Sequence, residues 1–592
     1  MSEPPSRIRS RPAAGMAGIA VLLLVFGLWA GWFIHRSSFE VEGSRYYCLF
    51  DDAMISMTYA RNLVDGHGLE WARWGEPVEG FTHPLWTFLM VPVNALPIAL
   101  RDRSLVIQLL SLLTLAGTVI AVRRLMLDHF APAGARHWLP AAVLSAFYYP
   151  LAYWALMGME TGLQALLAVL AVQLALSAVH AGRDRHLALW IVCAAAFLLR
   201  MDMLLLVVAV QLYVLLRKGL RPAGRPSWLA GLALFLGVSL AYGVFRWVYY
   251  HDLLPNTYYL KLTGIPLAVR LLRGMSVMTQ LVRDHLAVIL VAGLGTGAFL
   301  RRNGRLILPA IVVALYFAYS VYVGGDAWDG DIPIRANRFV AFVMPLLFVL
   351  FNAVLDEALA LWRRRRAVGE EIPADMEDDP VGGFALAAVT AFALLSVNGL
   401  WPTAQPEDAW REMASIDRPP MTERHRRVVA EIVAFRRLVR PGAVVATAWA
   451  GIPAYFSNYK MIDILGYNDR TIAHMQPVVP LDEDHFDTFR PGHAKWDEQR
   501  LLGQQRPDAF FQIWGVRRGM GRVAEVLPSF GYRKIGMFWV RADSPYIQVP
   551  PGAAAAAPAE SDDDPTATAA PAPADNSTPE PRPRRRRREA QP

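Results

Sequence analysis

Asp51 and Asp52 are adjacent carboxylates in the polar stretch that follows the first apolar run of the chain. Two neighbouring acids near an apolar boundary cannot both ionise freely, so one is expected to titrate high enough to serve as a base unless a cation intervenes. In a transfer reaction one carboxylate would accept the proton of an attacking hydroxyl, with Asp51 the preferred base and Asp52 its partner. The second would orient that hydroxyl, or the pair would hold a divalent cation (Mg, Mn or Ca) through oxygen. A plainer role is also open, because Asp is a favoured residue at a helix start and the run Ala53 to Leu63 suits a helix.

Further ionisable side chains fall between later apolar runs: Glu79, His83, Glu160, Arg200 with Asp202, Lys261, Asp326, Arg335 and Arg338. Charged groups that gather at one membrane interface mark a functional site, whereas any single one of them is ordinary loop charge. Walker A, G-x-S-x-G and H-E-x-x-H patterns are absent, which argues against nucleotide hydrolysis, serine esterase chemistry and zinc proteolysis. Cys48 and Cys193 are the only cysteines, and their placement favours neither a disulfide nor a metal site.

The elements that must position these groups are set by composition. Of 592 residues, 54% are hydrophobic and only 19% charged, more apolar surface than a water-facing domain hides. Apolar runs occur at about 15–34, 105–122, 138–156, 162–180, 187–199, 203–216, 228–249, 284–300, 306–323, 339–362 and 383–401. They predict an α-helical polytopic membrane protein with about eleven spans, the first an uncleaved anchor. Pro84 to Ile98, interrupted by Pro92 and Pro97, reads as juxtamembrane or re-entrant. Arginine clusters at Arg123, Arg124 and Arg136, at Arg183 and Arg185, at Arg217 to Arg225, at Arg301 to Arg305 and at Arg363 to Arg366 alternate along the chain. By the positive-inside rule they share the cytoplasmic side with Arg7, so the net charge of +8 marks topology rather than nucleic acid binding. The acids and cations named above then fall on the opposite face.

The expected organisation is a cytoplasmic N-terminus (1–13), a membrane catalytic domain (14–401) with a first external loop (36–82), an external α/β domain (402–550) and a disordered tail (551–592). The α/β reading rests on strand-like runs at 443–448, 461–464, 509–513 and 535–540 alternating with helical stretches at 424–439 and 519–527. The tail is rich in Ala, Pro and Asp and ends in an Arg run that suits anionic lipid or polymer.

Asp51-Asp52 followed by Val78-Glu79-Gly80-Phe81-Thr82-His83-Pro84-Leu85-Trp86-Thr87 resembles the GT-C superfamily of glycosyltransferases that use polyprenyl-phosphate sugars. Within it the pattern is most similar to the mycobacterial terminal arabinofuranosyltransferases and their proteobacterial relatives. Gly158-Met159-Glu160-Thr161-Gly162, Leu199-Arg200-Met201-Asp202, Leu254-Pro255-Asn256-Thr257 with Lys261, and Gly324-Gly325-Asp326 with Arg338-Phe339 continue the series. Ala450-Gly451-Ile452-Pro453-Ala454-Tyr455 and Ile462-Asp463-Ile464-Leu465-Gly466-Tyr467-Asn468-Asp469 resemble a segment found after the membrane part of such enzymes, with acceptor binding as the expectation. Two departures stand out: Arg200-Met201-Asp202 replaces a common Arg-Pro-Glu phrase, and Asp329 and Asp331 add acids after Asp326.

The resemblance implies a GT-C fold in the bacterial inner membrane with the site facing the periplasm. It implies inverting transfer, with arabinofuranose favoured and a hexose open, from a polyprenyl-phosphate donor to a glycan, glycolipid or glycoprotein hydroxyl. The donor phosphate falls to Lys261, Arg338 and Arg335, and the substrate to Glu79, Thr82, His83, Glu160, Arg200, Asp202 and Asp326. Competing classes are a transporter or flippase of lipid-linked sugars and a non-catalytic envelope or motility factor on the same scaffold.

Overall fold

Each apolar run forms helix, as hydrocarbon demands of a chain that must satisfy its own backbone polar groups. The computed structural model describes residues 12–130, 137–366, 380–400, 406–513 and 521–548. The N-terminal arginines Arg7, Arg9 and Arg11, Arg136 and the tail from 551 lie outside the described residues.

Among the described residues six helices are long and apolar enough to cross a membrane: Met16–Ser37, Leu100–Phe130, Thr161–His180, Pro226–Tyr250, Gly304–Val323 and Met344–Trp362. The number rises to eight if each of two bent helix pairs makes one span. One pair, Leu139–Ala146 and Tyr149–Leu156, is bent by 47°. Pro150 opens its second helix, where a missing N–H costs nothing. The other, Asn256–Leu262 and Leu267–Asp284, turns through 91° and was not expected from the apolar runs, because Arg270, Arg273 and Arg283 break its hydropathy.

Among the described residues, length and composition alone account for six to eight of the about eleven expected spans, and the remaining runs form shorter apolar helices. His186–Leu199, Leu286–Phe299 and Gly383–Val397 are helical but short. Fourteen residues, as in His186–Leu199, rise only about 21 Å at ~1.5 Å per residue, against a hydrocarbon core of roughly 30 Å. Hydropathy identifies such a run as apolar without fixing whether it crosses.

Two short helices carry the beginning of the site. Asp51–Val64 starts directly at the acidic pair, and Pro84–Ala95 starts at Pro84 with His83 as its cap residue. The two pack against each other. Trp86 Nε1 anchors the second by donating to the Gly158 carbonyl at 2.9 Å. Between the first span and Asp51 lies a small hairpin of β1 (Phe39–Val41) and β2 (Ser44–Tyr46).

The C-terminal part is an α/β unit, as the alternation of runs predicts. Its strands are β3 (Val444–Thr447), β4 (Lys460–Asp463), β5 (Ala509–Phe510), β6 (Tyr532–Ile535) and β7 (Phe538–Arg541). Their order is β4-β3-β5-β7-β6, with β3 parallel to both neighbours and the β6–β7 hairpin antiparallel. Helix Thr422–Leu438 covers one face by inserting Phe435 among Tyr459, Phe511 and Phe538, with ring centroids 5.4, 5.4 and 4.9 Å away.

This unit is fastened to the helical part through polar contacts that link distant stretches. Trp71 Nε1 donates to Ala450 O at 2.7 Å, Arg61 Nη1 to Tyr455 O at 2.5 Å, and the buried Lys495 Nζ to Tyr259 O and Ala473 O at 2.9 and 2.8 Å. Truncating the sheet's central aromatic, Phe435→Ala, is expected to cost about 3–5 kcal/mol, the range for deleting a buried ring. Thermal unfolding of the purified protein would read it as an early transition confined to the C-terminal unit, and an unchanged melting profile would contradict this packing.

Candidate functional site

Asp51 and Asp52 open one helix but point to different surroundings, because successive helical side chains diverge by about 100°. Asp51 is buried against the C-terminal unit, where its oxygens accept from the backbone N–H groups of Gly451 at 3.2 Å and Ile452 at 2.8 Å. A Cβ at position 451 would lie 1.9 Å from the Asp51 carbonyl oxygen, so only glycine allows this approach. Burial, reinforced by the neighbouring Asp52 carboxylate, pushes the Asp51 carboxyl up to about 7 despite those N–H groups.

Asp52 instead faces a cavity of about 360 Å³. Its Oδ2 lies 2.7 Å from Arg338 Nη2, and Arg338 Nε lies 2.7 Å from Asp326 Oδ2. Burial would raise the Asp52 carboxyl, but Arg338 and Lys261 outweigh burial and bring it below the usual carboxylate value. Asp52 is therefore ionised at neutral pH. Asp326 is positioned by the turn after Gly324 and Gly325, both with positive φ, and by Arg273 Nη2, which donates to its carbonyl at 2.8 Å.

A second charged chain also lines the cavity. Arg200 donates through Nη1 to Glu160 at 2.6 Å and through Nη2 to Asp202 at 2.6 Å. Glu160 is fully buried with His83 Nδ1 3.4 Å away, and His83 Nε2 in turn meets Ser56 Oγ at 2.7 Å. Burial would raise the Glu160 carboxyl, but His83, Arg200 and Arg338 bring it down to about 2. Lys261 completes the cation set: its ammonium lies over the Tyr467 ring at 5.4 Å and, among the described residues, forms no ion pair.

Thr82, His83, Arg200, Asp202, Lys261, Asp326 and Arg338 thus all line the same cavity as Asp52. Glu160 stands behind Arg200. Three expected residues lie elsewhere. Asp51 is turned to Gly451. Glu79 is held by Arg246 at 2.5 Å and by Tyr242, which ties the first loop to the Pro226–Tyr250 helix. Arg335 reaches Asp284 at 3.3 Å instead of the cavity. Asp331 pairs with Arg490 of the C-terminal unit, and Asp329 accepts from the Asp326 N–H at 2.6 Å, so the two additional acids shape and dock the 324–331 loop.

Tyr467, expected only as part of an acceptor-binding segment, lines the cavity, and the contact of the Gly451 and Ile452 N–H groups with Asp51 was not expected. The quoted Gly451-Ile452-Pro453 and Gly466-Tyr467-Asn468 phrases were their only signal. The described residues contain no group of three or more His, Cys, Asp or Glu side chains arranged for a metal. Asp51 and Asp52 are each engaged by other partners, so the pair as it stands does not suit a shared cation.

The arrangement can bind an anion between Lys261 and Arg338 and present an ionised carboxylate beside it. Because Glu160 titrates far below its ordinary 4.5, the stability it contributes is present above that pH and is lost as the pH falls towards 2. Wild type should be more stable than Glu160→Gln at pH 7, with the gap in melting temperature narrowing below about pH 4.5. A gap that stays constant down to pH 3 would contradict the buried pairing.

Residues 417–546 match a family described as a domain of unknown function (DUF8728). No curated protein matches the chain. Among solved structures the chain is similar to ArnT from Cupriavidus metallidurans bound to undecaprenyl phosphate, at 11% identity and a TM-score of 0.48, over 90% of this chain and 99% of that one. The apo form of the same protein gives 13% identity and a TM-score of 0.44, over 84% and 93%. The apo oligosaccharyltransferase of Archaeoglobus fulgidus gives 11% and 0.42, over 75% of this chain and 64% of that chain.

Proposed function

We propose that the chain is a membrane glycosyltransferase that moves a sugar from a polyprenyl-phosphate donor to an acceptor hydroxyl with inversion. The observation that carries this reading is that the cavity holding the charged groups borders a larger apolar one. The charged cavity shares Met201, Asp202, Tyr319 and Tyr322 with a second cavity of about 930 Å³. The second is walled by apolar side chains such as Leu205, Val208, Leu212, Ile311 and Leu315. A molecule with an anionic head and a long hydrocarbon tail matches both at once.

In this reading Lys261 and Arg338 hold the donor phosphate, Lys as a point charge and Arg through its planar fork. Asp52 accepts the proton of the acceptor hydroxyl as its oxygen bonds to the anomeric carbon. The bond from that carbon to the phosphate oxygen breaks, and its electron pair leaves with polyprenyl phosphate, whose growing charge the two cations stabilise. Asp52 is favoured over Asp51 as the base because it alone of the pair faces the cavity, and position precedes pKa in choosing a base. Asp51 then acts at one remove, by seating the Gly451–Ile452 turn. Asp326 and the Arg200–Asp202 pair are placed to meet sugar hydroxyls.

Arabinofuranose is the favoured sugar and a glycan, glycolipid or glycoprotein the acceptor, both on the family resemblance. The same resemblance supports placement in a bacterial inner membrane with the site on the periplasmic side. The test is to incubate purified protein in nanodiscs with a panel of polyprenyl-phosphate sugars. Wild type should consume one donor, and Asp52→Asn should lower the rate by about 10²–10⁴-fold, the usual worth of a positioned base. Asp52→Asn turning over at the wild-type rate would remove the assignment.

A further inference from the structure

We infer that Tyr467, carried by the domain of unknown function, is the stacking surface for the donor sugar, so that this domain completes the substrate cavity. The inference rests on the transferase reading for the identity of the ligand.

Tyr467 sits in the loop that follows β4, and the polar groups around it all hold the loop in place. Asp463 accepts from the N–H groups of Leu465, Gly466 and Asn468 at 3.0, 3.1 and 2.8 Å. Asn468 Nδ2 also donates to Asp463, and Asn468 Oδ1 accepts from Tyr59 OH, at 2.9 Å each. Asp469 caps the helix Arg470–His474 and pairs with Arg500 at 2.6 Å. From the membrane part, Asn256 Nδ2 donates to the carbonyls of Gly466 and Tyr467, both at 2.9 Å. Gly80 lies so close that a Cβ there would meet Asn468 Oδ1 at 2.0 Å.

The loop is thus fixed from both sides, and Tyr467 presents its ring from it to the cavity, with the His493 ring edge-on at 6.0 Å. One edge of the ring is backed by Gly492, where a Cβ would lie 2.5 Å from the Tyr467 hydroxyl. The ring lies beneath the Lys261 ammonium and shares the cavity with Asp52, Asp326 and Arg338. An aromatic face beside carboxylates and the Lys261 and Arg338 cations suits a sugar ring, whose C–H face packs on the aromatic while its hydroxyls reach the acids.

The test compares binding of two lipids to the full-length protein in nanodiscs by titration calorimetry: polyprenyl-phosphate arabinose, and polyprenyl phosphate without sugar. Wild type should bind the sugar-bearing lipid more tightly. Tyr467→Ala should weaken that lipid at least tenfold while leaving the sugar-free lipid within about threefold, and Tyr467→Phe should behave as wild type. Equal loss for both lipids would assign Tyr467 to the phosphate or to folding, and loss for neither would make it a bystander; either overturns the inference. Both arms read binding, so a wild type that discriminates the two lipids but transfers nothing would defeat the transferase reading while sustaining this one.

Discussion

Arg338 joins the helix that begins at Asp51, distant in sequence, to the nearby loop that presents Asp326 and to the start of the helices leading into the span from Met344. Its guanidinium is buried, and a buried cation is tolerated only when paired on several sides. Withdrawing either carboxylate would leave charge without compensation at a cost of several kcal/mol. The cavity's shape and its electrostatics therefore have one source. Arg338 keeps Asp52 ionised and fixes the distance between Asp52 and Asp326.

Arg200 repeats the same device with Glu160 and Asp202, so that each arginine is flanked by two acids. Lys261 differs, since its charge is met by an aromatic face rather than by a carboxylate. That difference makes Lys261 the cation most available to an incoming anion. The apolar cavity that shares its border with the charged one extends the same logic from headgroup to tail.

Much of this was legible in the sequence because it is local. Long apolar runs become helices whatever surrounds them, and the strands Val444–Thr447, Lys460–Asp463 and Phe538–Arg541 lie at or beside short apolar runs. Seven of the expected residues meet at one cavity with Asp52, since each sits where a helix begins or ends. What was not legible depends on helix phase and on long-range docking. Adjacent positions 51 and 52 look alike in sequence, yet one helical step turns Asp51 to Gly451 and Asp52 to Arg338. Arg335 and Arg338 are similarly close in sequence, and only the second reaches the cavity. The 91° bend after Leu262, the shortness of the helices His186–Leu199 and Leu286–Phe299, and the approach of Tyr467 all require tertiary contacts that no window of residues encodes.

The most direct measurement is a cryo-electron microscopy structure of the protein in nanodiscs with polyprenyl phosphate. The expected map places the phosphate in contact with both Lys261 and Arg338, beside the Asp52 carboxylate, with the isoprenoid tail running along Leu205, Val208 and Leu212. A lipid phosphate bound away from Lys261 and Arg338, with the cavity beside Asp52 empty, would contradict the central claim.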